Sequence, residues 1–192
     1  MSIILKNLLS SKNIKVILTR NNDKYLLLNQ RVSFAEKVNA DIFISIHSDS
    51  SRNKKAKGAS VFTLSTKSSD LEAKKLALRE NKSDLIGGLD IKNTDPVVKN
   101  NLVKIFQRQT SNDSIQLATL MTKKFDKFSI VHRGHRYAGF VVLKSLTVPS
   151  ILIELGFISN MQEEKLLNSN IYLKKISTLI CLSILDYFNQ SR

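Results

Sequence analysis

Two ionisable residues in this 192-residue chain stand where chemistry can be done. His47 closes the run Ala40-Asp41-Ile42-Phe43-Ile44-Ser45-Ile46-His47-Ser48-Asp49, whose apolar stretch reads as a buried strand. Glu154 closes a second such run, Val148-Pro-Ser-Ile-Leu-Ile-Glu154. In helix-covered sheets, ligands collect at the carboxyl ends of the strands. If the two strands are neighbours, the histidine and the carboxylate open onto one crevice. A metal-ligating histidine beside a glutamate general base is the pattern of metal-assisted hydrolysis. The glutamate takes a proton from water and passes it to the leaving amine. The bland alternatives are a strand-end histidine bonded to a loop and a glutamate salt-bridged at the sheet end.

The elements that must position this pair follow from periodicity. Ile3, Ile4, Leu5, Leu8 and Leu9 give residues 2–12 one apolar helical face, and Lys15–Arg20 reads as a short strand. A second amphipathic helix runs over 24–39 with Leu27, Arg31, Phe34 and Val38 at spacings of three to four, followed by the 41–47 strand. Ser51–Gly58 is a basic loop without stacking aromatics, so it reads as a solvated loop rather than a nucleic-acid reader. Ala59–Leu64 is a further strand.

Residues 66–127 form a helical insertion. Ser69-Asp-Leu-Glu72 opens its first helix and Gly87-Gly88 closes it; Asp95-Pro96 starts a second helix, and Asn112-Asp113 caps a third. Three helices without a strand suggest a lid or regulatory element. Gly139–Lys144 and Val148–Glu154 read as strands, Gly156–Asn160 as a loop, and 161–168 and 170–188 as closing helices, with Cys181 in the core. The expected fold is a single α/β domain over 1–192 with a mostly parallel, helix-flanked sheet.

Composition sets outer bounds. A hydrophobic content of 42% suits a folded domain, and one cysteine excludes an internal disulfide or a cysteine-rich zinc site. The net charge of +14 favours anionic partners: nucleic acid, acidic lipid or a cell-wall polymer. No apolar run approaches the length of a transmembrane segment. The first residues lack the basic start and the cleavage site of an export signal.

The segments Leu18-Thr-Arg20 with Asp23, Leu28 and Arg31, then Ala40–Asp49, Gly58-Ala-Ser-Val-Phe62, and Val148–Glu154 with Gly156–Asn160 carry a resemblance. Together they resemble the zinc-dependent N-acetylmuramoyl-L-alanine amidases of the amidase_3 group, cell-wall hydrolases. The insertion, through Arg79–Gly88, Thr110–Ser114 and Ala138–Leu143, is similar to that of the division-associated members. The resemblance implies zinc-dependent hydrolysis of the amide between N-acetylmuramic acid and L-alanine in peptidoglycan, during wall remodelling and daughter-cell separation. It makes His47 a zinc ligand, Glu154 the catalytic general base and Glu80 the carboxylate that blocks the metal. It also implies a periplasmic or envelope location and a protein activator that withdraws the regulatory helix.

The family pattern has further parts: a first strand ending in Gly-His-Gly and a later glutamate, which supply the other zinc ligands. Neither occurs here, so the zinc site is expected to be incomplete and the first family strand missing, as in an N-terminally truncated member. The remaining histidines, His132 and His135, lie beside Arg133 and Arg136, which would repel a cation; one of the pair could approach substrate instead. Two other readings accompany the enzyme: a catalytically inactive remnant, and a basic nucleic-acid-binding protein, for which the sequence holds no recognition motif.

Overall fold

The computed structural model describes residues 1–86 and 101–190, with side chains described for 1–84 and 107–190. The elements in order are α1 (Ser2–Ser10), α2 (Leu28–Lys37), β1 (Phe43–Asp49), β2 (Ala59–Leu64), α3 (Leu71–Asn81), α4 (Ser83–Ile86), α5 (Asn101–Lys127), β3 (His132–Ala138), β4 (Ser150–Phe157), α6 (Met161–Leu167) and α7 (Asn170–Gln190). A short 3-10 turn, Val141–Leu143, lies between β3 and β4.

The strands make one sheet in the order β1-β4-β2-β3. β1 runs parallel to β4 and β2 parallel to β3, while β2 and β4 are antiparallel. β4 is buried along its whole length, which explains its unbroken apolar run. Its alternation splits the core in two. Ile151, Ile153 and Leu155 face Leu117, Met121 and Phe125 of α5 and Ile176, Ile180 and Ile184 of α7, with Leu5 and Leu9 of α1 beside them. Leu152 faces the other way, towards Leu28, Phe62, Leu76 and Phe140. The α7 periodicity is the one its spacing predicts, and Cys181 packs in that core as a free thiol. The buried hydroxyls of Ser177 and Ser183 donate back to Leu173 O and Leu179 O.

Several expectations change. Residues 15–20 belong to no strand, because no described neighbour pairs with them. The second helix begins at Leu28, not 24; the Gln30 side chain accepts from the Leu27 N–H at 3.0 Å and closes its first turn. Asn112-Asp113 does not start a helix, since α5 runs unbroken through it and Gln109 Nε2 donates to Asp113 Oδ1 one turn on. A capping residue inside a helix does no harm when its side chain finds such a surface partner.

The largest correction concerns 132–144. The strand is the polar 132–138 segment, and the apolar 139–144 run leaves the sheet as the 3-10 turn. Among the described residues β3 is an edge strand, and a polar, arginine-bearing edge resists pairing with other chains. Phe140, Val142 and Leu143 fill the core under α3 without entering the ladder. Within the 66–127 insertion, the later part of α5 is core: Leu117, Met121 and Phe125 are fully buried. Gly87-Gly88 and Asp95-Pro96 lie outside the described residues.

Candidate active site

β1 and β4 are adjacent and parallel, so their carboxyl ends share one edge of the sheet. His47 and Glu154 are direct register partners there, on the face covered by α3. Below them Ser45 Oγ lies 3.0 Å from His47 Nε2, so one imidazole nitrogen is engaged by the strand itself. The other, Nδ1, meets Glu80 Oε2 of α3 at 3.2 Å. That contact holds the Glu80 carboxyl below its ordinary range, against the opposing effect of its burial.

Glu154 has no partner. It is 2% exposed, and neither carboxylate oxygen has a hydrogen bond. Burial pushes its pKa up to about 9, and the nearby charges of Asp49 and Glu80 push the same way, while Arg79 pulls down. Glu154 is therefore protonated at neutral pH in this arrangement. Asp49 follows a register irregularity in β1. It accepts from Arg79 Nη2, yet burial still raises its carboxyl. Three carboxyl groups with perturbed titration thus crowd one sheet edge beside the Arg79 guanidinium, a concentration that marks functional sites.

Helix α3 delivers Glu80 because it is clamped at both ends. Asp70 caps it, accepting from the Glu72 and Ala73 N–H groups at 2.9 Å, and also takes the Arg136 guanidinium. That pairing keeps Asp70 well below the usual carboxylate range. Glu72 makes a two-point contact with Arg133. At the far end Asn81 donates to Gly139 O at 2.8 Å and accepts from Val141 N at 2.9 Å. Beyond it, Asp84 accepts from the Tyr25 hydroxyl and the Leu28 N–H, tying α4 to α2. Behind the site, the Glu163 carboxylate accepts from Gly58 N at 2.6 Å and Phe157 N at 2.7 Å and fixes the loop after β4.

Of the sequence-predicted residues, His47, Glu154 and Glu80 come together. His132 and His135 do not. They lie on β3, at the other end of the sheet from β1, with Asp126 Oδ1 and Thr63 Oγ1 as partners at 2.9 Å each. Sequence reading assigned no role to Asp49 or Arg79. Asp49 stands two residues after His47 and so on the same face of the strand, a signal available in the sequence. Arg79 is placed only by α3 docking thirty residues away.

The fit to zinc is partial. His47 Nδ1 and Glu80 Oε2 at 3.2 Å are spaced as two donors of one tetrahedral ion would be, given bonds of about 2.0–2.2 Å. Among the described residues, however, no group of three or more His, Cys, Asp or Glu side chains could hold a metal. A catalytic zinc takes about three protein ligands, so the described residues do not complete that site by themselves.

Comparison with known proteins bears on this geometry. The family model described as Amidase_3, N-acetylmuramoyl-L-alanine amidase, matches residues 1–186. The chain is 39% identical over 186 residues to N-acetylmuramoyl-L-alanine amidase AmiA of Escherichia coli K12, covering 96% of this chain and 64% of the relative. It is 34% identical to AmiC of Neisseria meningitidis, covering 97% of this chain and 45% of the relative. The chain thus spans less than two thirds of the length of these relatives. Among solved structures, the CwlD amidase of Clostridioides difficile superposes with a TM-score of 0.70 at 23% identity, covering 98% of this chain and 82% of that one. The CwlV catalytic domain of Paenibacillus polymyxa gives 0.67 at 23%, covering 98% and 80%. At such identities these two likenesses establish the shared fold.

Proposed function

The chain belongs to the N-acetylmuramoyl-L-alanine amidase family, and from that membership we propose that it hydrolyses the amide between N-acetylmuramic acid and L-alanine in peptidoglycan. The observation that carries the proposal is the register pairing of His47 with a buried, unpartnered Glu154 at the carboxyl ends of β1 and β4. Glu154, in its ionised form, is the general base: it accepts a proton from water as the water oxygen bonds to the amide carbonyl carbon. It then gives that proton to the alanine nitrogen as the C–N bond breaks. A carboxyl poised near or above neutrality by burial suits both halves of that exchange.

Zinc is the cofactor that membership implies. His47 is its ligand in this chain, with Nδ1 as the free donor once Glu80 withdraws. The histidine of the Gly-His-Gly strand and the later glutamate that would complete its ligand set do not occur in this sequence.

Glu80 is the inhibitory residue. It occupies His47 Nδ1, and its charge raises Glu154, so its removal frees a ligand and brings Glu154 closer to the ionised form that accepts a proton. α3 is then the regulatory element, and a protein activator is the agent that lifts it off the sheet, at the expense of the Arg136, Arg133 and Asn81 contacts. Wall remodelling at cell separation, in the cell envelope, is the setting this reading implies. No described helix is long and apolar enough to cross a membrane.

The test is dye release from labelled peptidoglycan sacculi with zinc supplied, beside a direct zinc-binding titration. Release that vanishes in Glu154→Gln, with zinc binding retained, supports the reading. No release from the native chain when zinc is bound counts against it.

A further inference from the structure

The two strands that carry His47 and Glu154 run on into loops, and those loops are laced together. The Ile158 N–H donates to Asp49 O at 2.8 Å, and the Ser51 N–H donates to Ser159 Oγ at 2.9 Å. Asn160 Nδ2 donates to Ala56 O at 3.1 Å, and the Gly58 N–H donates to Glu163. The basic 51–58 loop, which its sequence presents as merely solvated, is therefore held against the loop that follows β4.

The two loops line an open cavity of about 770 Å³, within the usual range for ligand sites. Its charge is positive. Lys54, Lys55 and Lys57 line it, all three exposed, against one acid, Glu164. None of these lysines forms an ion pair with a described carboxylate. Ile158 and Met161 line it too, 50% and 72% exposed. Ammonium groups beside uncovered apolar surface suit a ligand that is aliphatic along its length and negative at intervals. A single-stranded nucleic acid would call for stacking aromatics, and the lining has none.

The cavity lies near the reacting centre. Ile158 is four residues beyond Glu154, so at a rise of about 3.3 Å per residue the two positions are at most about 13 Å apart. An extended substrate chain covers that span in two to four residues, and the long lysine stems shorten it further. The substrate of the proposed reaction has two unlike sides. On the glycan side the muramic carboxyl is consumed in the scissile amide and the N-acetylated sugars are neutral. On the peptide side, the residues that follow L-alanine carry free carboxylates and short aliphatic groups. The lining matches the peptide side.

We propose that Lys54, Lys55 and Lys57 form a subsite for the carboxylates of the peptide stem, on the leaving-amine side of the scissile bond. The subsite rests on the amidase reading and adds an orientation to it: the peptide runs over the joined loops, and the glycan lies on the other side of Glu154. Lysines suit this task because a flexible point charge follows a carboxylate whose position varies along the stem.

The test is binding, read by amide NMR on the isotope-labelled, unaltered chain. The probe is N-acetyl-L-Ala-γ-D-Glu-meso-diaminopimelate. One control is the same peptide with its carboxylates amidated; another is N-acetyl-Ala-Glu-Glu-amide, of the same net charge as the probe. Saturable shifts at residues 54–58 and 158–162 are expected for the probe, with a Kd below about 3 mM. Amidation weakens binding about fivefold or more. The triple variant Lys54→Gln, Lys55→Gln, Lys57→Gln weakens the probe by as much and leaves the amidated peptide unchanged. No saturation up to about 10 mM, equal binding of the amidated peptide, or no loss in the triple variant overturns the proposal. Equal binding of the linear acid also overturns it, and leaves a surface that attracts any anion. Dye release from sacculi by the same preparation judges the activity separately. Release without stem selectivity removes the subsite alone, and selective stem binding without release removes the activity alone.

Discussion

Replacing Glu154 by glutamine tests the electrostatics of the site without reference to turnover. The carboxyl is raised from an ordinary 4.5 to about 9 by burial and by the charges of Asp49 and Glu80. Below the unfolded value both states are protonated and the group costs nothing. Between 4.5 and about 9 the unfolded chain releases its proton while the folded chain keeps it. Stability therefore falls as pH rises through that window, by about 1.4 kcal/mol per unit.

At about pH 7 the loss is roughly 3 kcal/mol, of the order of 6–12 °C in melting temperature for a chain of this size. Glutamine keeps the shape and does not titrate. Urea unfolding of Glu154→Gln and the native chain without added metal, from about pH 4 to about pH 8, isolates the effect. The other carboxyl groups are common to both proteins and drop out of the difference. The variant gains on the native chain as pH rises. A difference that stays flat across the window refutes both the dry, unpartnered carboxyl and its role as a poised base.

Glu80→Ala frees His47 Nδ1 and removes one like charge from Glu154, so dye release from sacculi rises about fivefold or more; an unchanged rate dismisses the inhibitory role. Phe125→Ala empties a fully buried position shared by α5 and the sheet and costs about 3–5 kcal/mol, read as a lower urea midpoint at unchanged slope. Gly156→Ala sets a Cβ 2.9 Å from Glu163 Oε2 at a backbone φ of +149°. It destabilises by roughly 1–3 kcal/mol, measured by thermal melting, and loosens the Gly58 and Phe157 N–H contacts of Glu163, visible as faster amide exchange.

Local pattern made a good part of this molecule legible. β2 has the bounds its apolar run predicts, and α7 buries the residues its spacing predicts, because burial on one helical stripe or two strand faces imposes a period on the sequence. His47 and Glu154 were visible as ionisable residues at the ends of apolar strands, and Glu80 through the family resemblance of its helix. What local pattern did not decide was pairing. The 15–20 stretch has strand-like residues but no partner, and the polar 132–138 stretch is a strand because β2 offers it an edge. The apolar 139–144 run is packed rather than paired. Hydrogen bonding between strands is a property of two segments, so one segment cannot announce it. The same holds at the site. That β1 adjoins β4, that α3 docks with Glu80 on His47, and that Asp49 and Arg79 join them are contacts between distant segments. Burial among those contacts lifts Glu154 to about 9. The sequence named the groups; the tertiary structure set their charge, because a pKa depends on solvent and neighbours that only the folded chain assembles.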